Sequence, residues 1–96
     1  MRKTITVTKR DIKNGLPEDM SLCPIALAIR RAFHCKLWVY VDNTEASICF
    51  MRDKEMHAAL PARARKFVLK YDKYENGESA SKKLKPFTFK TMFAKS

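Results

Sequence analysis

Arg63, Lys66, Lys70 and Lys73 recur at i, i+3, i+7 and i+10, which lines four cations along one side of a helix. Lys82, Lys83 and Lys85 follow in a second basic cluster, and no acid occurs anywhere in residues 79–96. Like charges three and four apart on a helix repel by a few tenths of a kcal/mol each. An anionic partner offsets that repulsion and is steered toward it. The chemistry these residues offer is therefore capture of a polyanion, with a phosphate backbone as the first candidate ligand. The competing reading is a solvated helix face that keeps the chain soluble.

Aromatic side chains suggest a second contact. Trp38 and Tyr40 share one face of a strand, with Phe50 a candidate neighbour on the strand that follows. If exposed, they could stack on bases or meet a protein partner. Large aromatics also fill cores well, and core packing is the expectation for both. The glycine- and aromatic-rich signature of RNA-recognition sheets is absent from residues 45–50.

Catalytic and metal chemistry find little support. His34 and His57 have no spaced Ser or Cys partner except Cys35, which adjoins His34. Glu18 and Asp19 are consecutive, so their carboxylates diverge. Two glycines, Gly15 and Gly77, build no phosphate-binding loop. Cys23, Cys35 and Cys49 are an odd set without CxxC spacing, which argues against both a disulfide framework and a zinc knuckle. Neither an enzyme nor a bound cofactor or metal is expected.

These residues sit in a chain of 96 residues with twenty Lys and Arg against ten Asp and Glu, a formal charge of +10. That length makes one domain, and 46% hydrophobic content suffices for one modest core. No apolar run approaches the roughly 20 residues of a membrane span. Met1-Arg2-Lys3 leads straight into a strand pattern rather than a signal-peptide core, so a cytoplasmic location is expected.

The periodicities supply the positioning elements. Residues 3–8 alternate with period two and are rich in β-branched side chains, which predicts a strand. Thr8 is placed to cap a short helix, Lys9–Asn14, closed by Gly15. A helix then starts at Cys23-Pro24, with Pro where its missing N–H is harmless. Its buried stripe is Ile25, Ala28, Ile29, Ala32 and Phe33, and Arg30 and Arg31 point away from it. Residues 36–41 and 46–51 form a hairpin around the turn residues Asp42-Asn43-Thr44-Glu45. Residues 52–59 fit either a strand extension or a loop. Pro61 opens a second helix with Ala64, Phe67, Val68 and Tyr71 inward, ended by Asn76-Gly77. Residues 76–85 read as a mobile lysine-rich loop, and 85–93 as a last strand with Phe87, Phe89 and Phe93 on one side. The expected fold is a small two-layer α+β sandwich, a single domain over residues 1–96 in ferredoxin-like βαββαβ order.

Ser21-Leu22-Cys23-Pro24-Ile25-Ala26-Leu27-Ala28-Ile29-Arg30-Arg31-Ala32 resembles a segment shared by short, uncharacterised proteins of tailed phages. The likeness extends to Ile5-Thr6-Val7-Thr8, Asp11-Ile12 and Asn14-Gly15. It continues through Leu60-Pro61, Phe67 and Tyr71-Asp72 to Lys85-Pro86-Phe87-Thr88-Phe89. Cys-Pro-Ile-Ala-Leu-Ala is its distinctive core. Members often carry a further cysteine where this chain has Met20. The resemblance implies a phage or prophage accessory protein acting in the bacterial cytoplasm, and it carries over no catalytic residue. With the charge, it leaves two partner classes, nucleic acid or an acidic host protein within a defence or nucleic-acid-processing complex. Homodimerisation through an exposed strand edge is a third expectation.

Overall fold

The computed structural model describes residues 1–33, 38–51 and 54–95, with the side chains of residues 50, 51 and 54 excepted. His34 and Cys35, weighed above for catalytic and metal chemistry, lie outside the described residues. So do the 36–37 start of the second predicted strand and the Phe50 side chain.

The chain opens with strand β1 (Arg2–Val7), in which Ile5 and Val7 turn inward. Helix α1 (Lys9–Asn14) follows at once because Thr8 caps it. The Asp11 N–H donates to Thr8 Oγ1 at 3.1 Å, and the Thr8 N–H donates to Asp11 Oδ2 at 2.9 Å. This reciprocal pair satisfies two donors that a helix start leaves unpaired. Helix α2 (Pro24–Phe33) buries Ile25, Ala28 and Ile29 as its stripe requires, with Ala32 and Phe33 packed at the core's edge. Each fully buried isoleucine of this kind stabilises the fold by about 1.5–3 kcal/mol.

Strands β2 (Trp38–Val41) and β3 (Glu45–Met51) form the expected hairpin. Asp42 closes its turn, because Asp42 Oδ1 accepts from the Thr44 N–H, the Thr44 hydroxyl and the Glu45 N–H at 2.7–2.8 Å. Those donors hold the Asp42 carboxyl below its ordinary pKa, the Glu45 N–H contributing most. Of the ambiguous stretch after the hairpin, residues 52–53 lie outside the described residues and the rest is strand β4 (Lys54–Ala59), paired antiparallel to β3. Helix α3 (Ala62–Tyr71) then buries Ala64, Phe67, Val68 and Tyr71.

The segment after α3 departs from expectation. Asp72, not Asn76-Gly77, ends α3, and Asn76 instead caps a further short helix, α4 (Gly77–Ser81). The Ser79 N–H donates to Asn76 Oδ1 at 2.8 Å. Gly77, Ala80 and Ser81 are buried where α4 packs on α1, so the first half of the predicted loop is an integral element.

Strand β5 (Phe87–Met92) pairs antiparallel with β1, and β6 (Ala94–Lys95) pairs with β4. One run of chain thus serves two sheets, a β1-β5 pair and a four-stranded β2-β3-β4-β6 sheet. Phe93, 1% exposed, marks the switch. Its N–H donates to the Met1 carbonyl at 2.8 Å, while the Met1 ammonium donates to the Phe93 carbonyl at 2.7 Å. The class is the expected α+β. The pairing does not confirm the ferredoxin-like order, since the ladders link β1 to β5 and β2 through β4 to β6. Among the described residues, no helix is long and apolar enough to cross a membrane.

Candidate polyanion-binding groove

Helix α3 is oriented by its buried stripe. The Tyr71 hydroxyl donates to the Ile12 carbonyl at 2.9 Å, anchoring the last turn to α1. Phe67 stacks on Tyr71 with centroids 5.7 Å apart and lies 4.8 Å from the Phe87 ring on β5. With that side turned in, Arg63, Lys66 and Lys70 must face solvent, and all three are exposed. Arg63 is steadied further by donating from Nη1 to the Thr88 carbonyl at 3.3 Å.

The chain returns from α4 through Leu84, Lys85 and Pro86 to Phe87, forming a second wall. Between the walls lies an open groove of about 490 Å³. Arg63, Lys66, Lys70 and Lys85 line its rim, and Phe67, Leu84, Pro86 and Phe87 supply an apolar lining. That volume falls inside the range of about 300–1,000 Å³ typical of ligand sites. Among the described residues, no carboxylate lies within ion-pair distance of the four cations. Ion pairs are seen elsewhere, at Arg31–Asp11 and in the contacts of His57 with Glu45 and Glu55. The four positive charges therefore add to one field, and low-dielectric walls concentrate it. A groove built this way can hold phosphate oxygens at its rim and a flat apolar group on its floor.

The predicted basic residues divide into three sets. Arg63, Lys66, Lys70 and Lys85 are brought together. Lys73 is exposed beyond the end of α3 and does not line the groove. Lys82 borders a separate depression beside α1, and Lys83 lines neither. The apolar floor was not evident from the spacing of the cations. Its signal was the interleaving Leu84-Lys85-Pro86-Phe87, in which apolar residues alternate with a cation.

Trp38 and Tyr40 are 68% and 42% exposed, against the expected core packing. Val39 and Val41, alternating with them, fill the core instead. Trp38 pairs across from Cys49 and Tyr40 from Ser47, on the sheet face turned away from the core. Ser47 Oγ lies 3.0 Å from His57 Nδ1 on that face, and His57 Nε2 is 3.7 Å from Glu55 Oε2. The longer distance exceeds hydrogen-bond reach, so these three side chains form no proton relay.

Among the described residues, no group of three or more His, Cys, Asp and Glu is placed to hold a metal. Burial pushes the Cys23 thiol up to about 11, which keeps it protonated and a poor nucleophile at neutral pH. Comparison with known proteins returns no match to a family model, a curated protein or a solved structure.

Proposed function

We propose that this protein is a small non-enzymatic module that binds nucleic acid through the α3–β5 groove, largely independently of sequence. One observation carries the reading: Arg63, Lys66, Lys70 and Lys85 converge, with no carboxylate partner among the described residues, around an apolar floor. Phosphates neutralise the rim, and a base finds an apolar surface at Leu84, Pro86 and Phe87. The resemblance of Cys-Pro-Ile-Ala-Leu-Ala and its flanking residues to tailed-phage proteins supports reading the module as a phage accessory protein that works in the bacterial cytoplasm.

Fluorescence anisotropy with random single-stranded and duplex DNA, at two salt concentrations, tests this. Micromolar or tighter binding at low salt is expected, with log K falling, for each tenfold rise in salt, by about 0.9 per phosphate neutralised on duplex and about 0.7 on single strands. The triple charge reversal R63E/K66E/K70E should abolish it.

A second reading is a phage inhibitor that docks on a host protein. The exposure of Trp38 and Tyr40 favours it, since aromatic side chains are enriched at protein interfaces. Absence of DNA binding, combined with one stoichiometric host protein retained by wild type and lost by W38A/Y40A, would select this reading.

A further inference from the structure

A second positive depression, separate from the groove, is one that the spacing on α3 does not announce. Lys9, Arg10 and Lys13 of α1 and Lys82 after α4 surround a volume of about 720 Å³. Asn14, Ser81 and Glu78 complete its lining, and no apolar side chain contributes. The orientation of α1 follows from its capping box, because Asp11 and Ile12 are turned inward and leave Lys9, Arg10 and Lys13 outward. The position of Lys82 follows from the close seating of α4 on α1. A Cβ on Gly77 would lie 2.7 Å from the carbonyl oxygens of Ile12 and Gly15, and closer still to that of Lys13. Glu78, the carboxylate in the depression, makes no ion pair with these cations among the described residues.

One short stretch of chain contributes to both depressions. Lys82 borders one and Lys85 the other, and three residues reach at most about 11 Å. The turn between them shortens that span, since the Lys83 and Leu84 N–H groups both donate to the Ala80 carbonyl, at 3.0 and 2.8 Å. Duplex DNA carries one charge per about 1.7 Å of axis, so a strand that runs from one depression to the other carries several phosphates over that span.

Building on the groove reading, we infer that Lys9, Arg10, Lys13 and Lys82 form the second half of a bipartite nucleic-acid site. The ligand is then a polymer of phosphates spanning both halves, not a mononucleotide or dinucleotide. The halves divide the work. The groove, with its apolar floor, takes a base with its phosphate, and the polar depression takes backbone alone.

The test compares a dinucleotide with a 12-nucleotide single strand on the full chain. K9Q/R10Q/K13Q should leave dinucleotide binding unchanged, weaken 12-mer binding at least about tenfold at low salt, and lower the salt slope by about 2. E78Q should do the reverse, tightening 12-mer binding about twofold or more, a gain that no folding defect can mimic. Wild-type affinity and slope for the 12-mer in the triple variant overturn the bipartite site, as does equal wild-type affinity for the dinucleotide and the 12-mer. If R63E/K66E/K70E meanwhile abolishes binding, the groove reading stands and the second half alone falls. No binding of any oligonucleotide overturns both.

Discussion

Asp11 and Arg31 meet as a two-pronged fork that ties the start of α1 to the end of α2. Arg31 donates from Nη1 to Asp11 Oδ1 at 2.8 Å and from Nη2 to Asp11 Oδ2 at 2.7 Å. Nη2 also donates to the Thr6 carbonyl at 2.8 Å, adding the end of β1 to the same knot. Parallel charge-assisted bonds of this kind fix geometry as well as adding energy. Asp11 is therefore both the closing residue of a capping box and the anchor of a neighbouring helix. Its placement sets which way Lys9, Arg10 and Lys13 face.

This arrangement makes stability depend on acid. Burial works to raise the Asp11 pKa, but the Arg31 fork and the Thr8 contacts outweigh it and hold the carboxyl below its ordinary 3.8. A depressed folded-state pKa means the stabilisation is complete above the ordinary value. It is lost as pH falls through that value and then through the folded one. Asp11→Asn should cost about 1–3 kcal/mol near neutral pH, below the range for a fully buried pair because the Arg31 side chain is 50% exposed and can rehydrate. The gap between variant and wild type should begin to narrow below about pH 4 and go on narrowing as pH falls. Urea melts at pH 7, 5 and 3 check this, and a gap that is constant across the three would refute the assignment.

Gly77→Ala tests the seating of α4. Three carbonyl oxygens of the α1 end crowd the position a Cβ would take, and backbone cannot yield as a flexible side chain can. The substitution should cost about 1–3 kcal/mol despite alanine's better helix propensity. If Lys82 belongs to the binding surface, 12-mer affinity should fall with it while dinucleotide affinity holds. Thermal melts and anisotropy on one preparation read both.

Tyr71→Phe isolates the bond that pins α3 to α1. Losing the hydroxyl that donates to the Ile12 carbonyl should cost about 1 kcal/mol. Burial raises the Tyr71 phenol to about 12, with the Cys23 and Asp72 charges adding to it. The neutral form is the one the fold favours, so this contribution is complete below pH 10 and lost as pH rises through about 12. A rapid pH jump followed at 295 nm should show a component near 12 that is missing from the variant. Its persistence in Tyr71→Phe would reassign it.

What could be read from the chain alone follows a physical division. Local signals were legible: Thr8 and Gly15 bracket α1, Pro24 opens α2, and the stripe from Ala64 to Tyr71 orients α3. Signals that depend on distant chain were not. Arg31 lies off its helix's apolar stripe, yet it folds back onto Asp11 because the tertiary structure brings a carboxylate there. α4 is five residues long and polar, too short to be stable by itself, and only its docking on α1 makes it a helix. Asn76 was its one local clue. Half of the basic site was visible as spacing on α3. Lys85 and Lys82 parted company because the turn after Ser81 sends them to different depressions. The alternation in β2 identified two faces, but which one met the core depended on helices elsewhere in the chain.

Trp38 gives the means to separate the two surfaces. As the sole tryptophan, at 68% exposure and with Val39 rather than itself facing the core, it should emit like a solvated indole. Trp38→Ala should change stability by no more than about 0.5 kcal/mol, as for other surface substitutions. Trp38 is absent from the lining of both basic depressions. A saturating 12-mer should therefore leave its emission maximum and acrylamide quenching unchanged while anisotropy of the labelled strand rises. Quenching that tracks the binding isotherm, and a loss of affinity in W38A of about 1–3 kcal/mol, the range for a stacked base, would instead make the sheet face the binding platform. The two results cannot both hold for one binding mode, so a single titration decides whether the ligand lies along α3 and α1 or across β2.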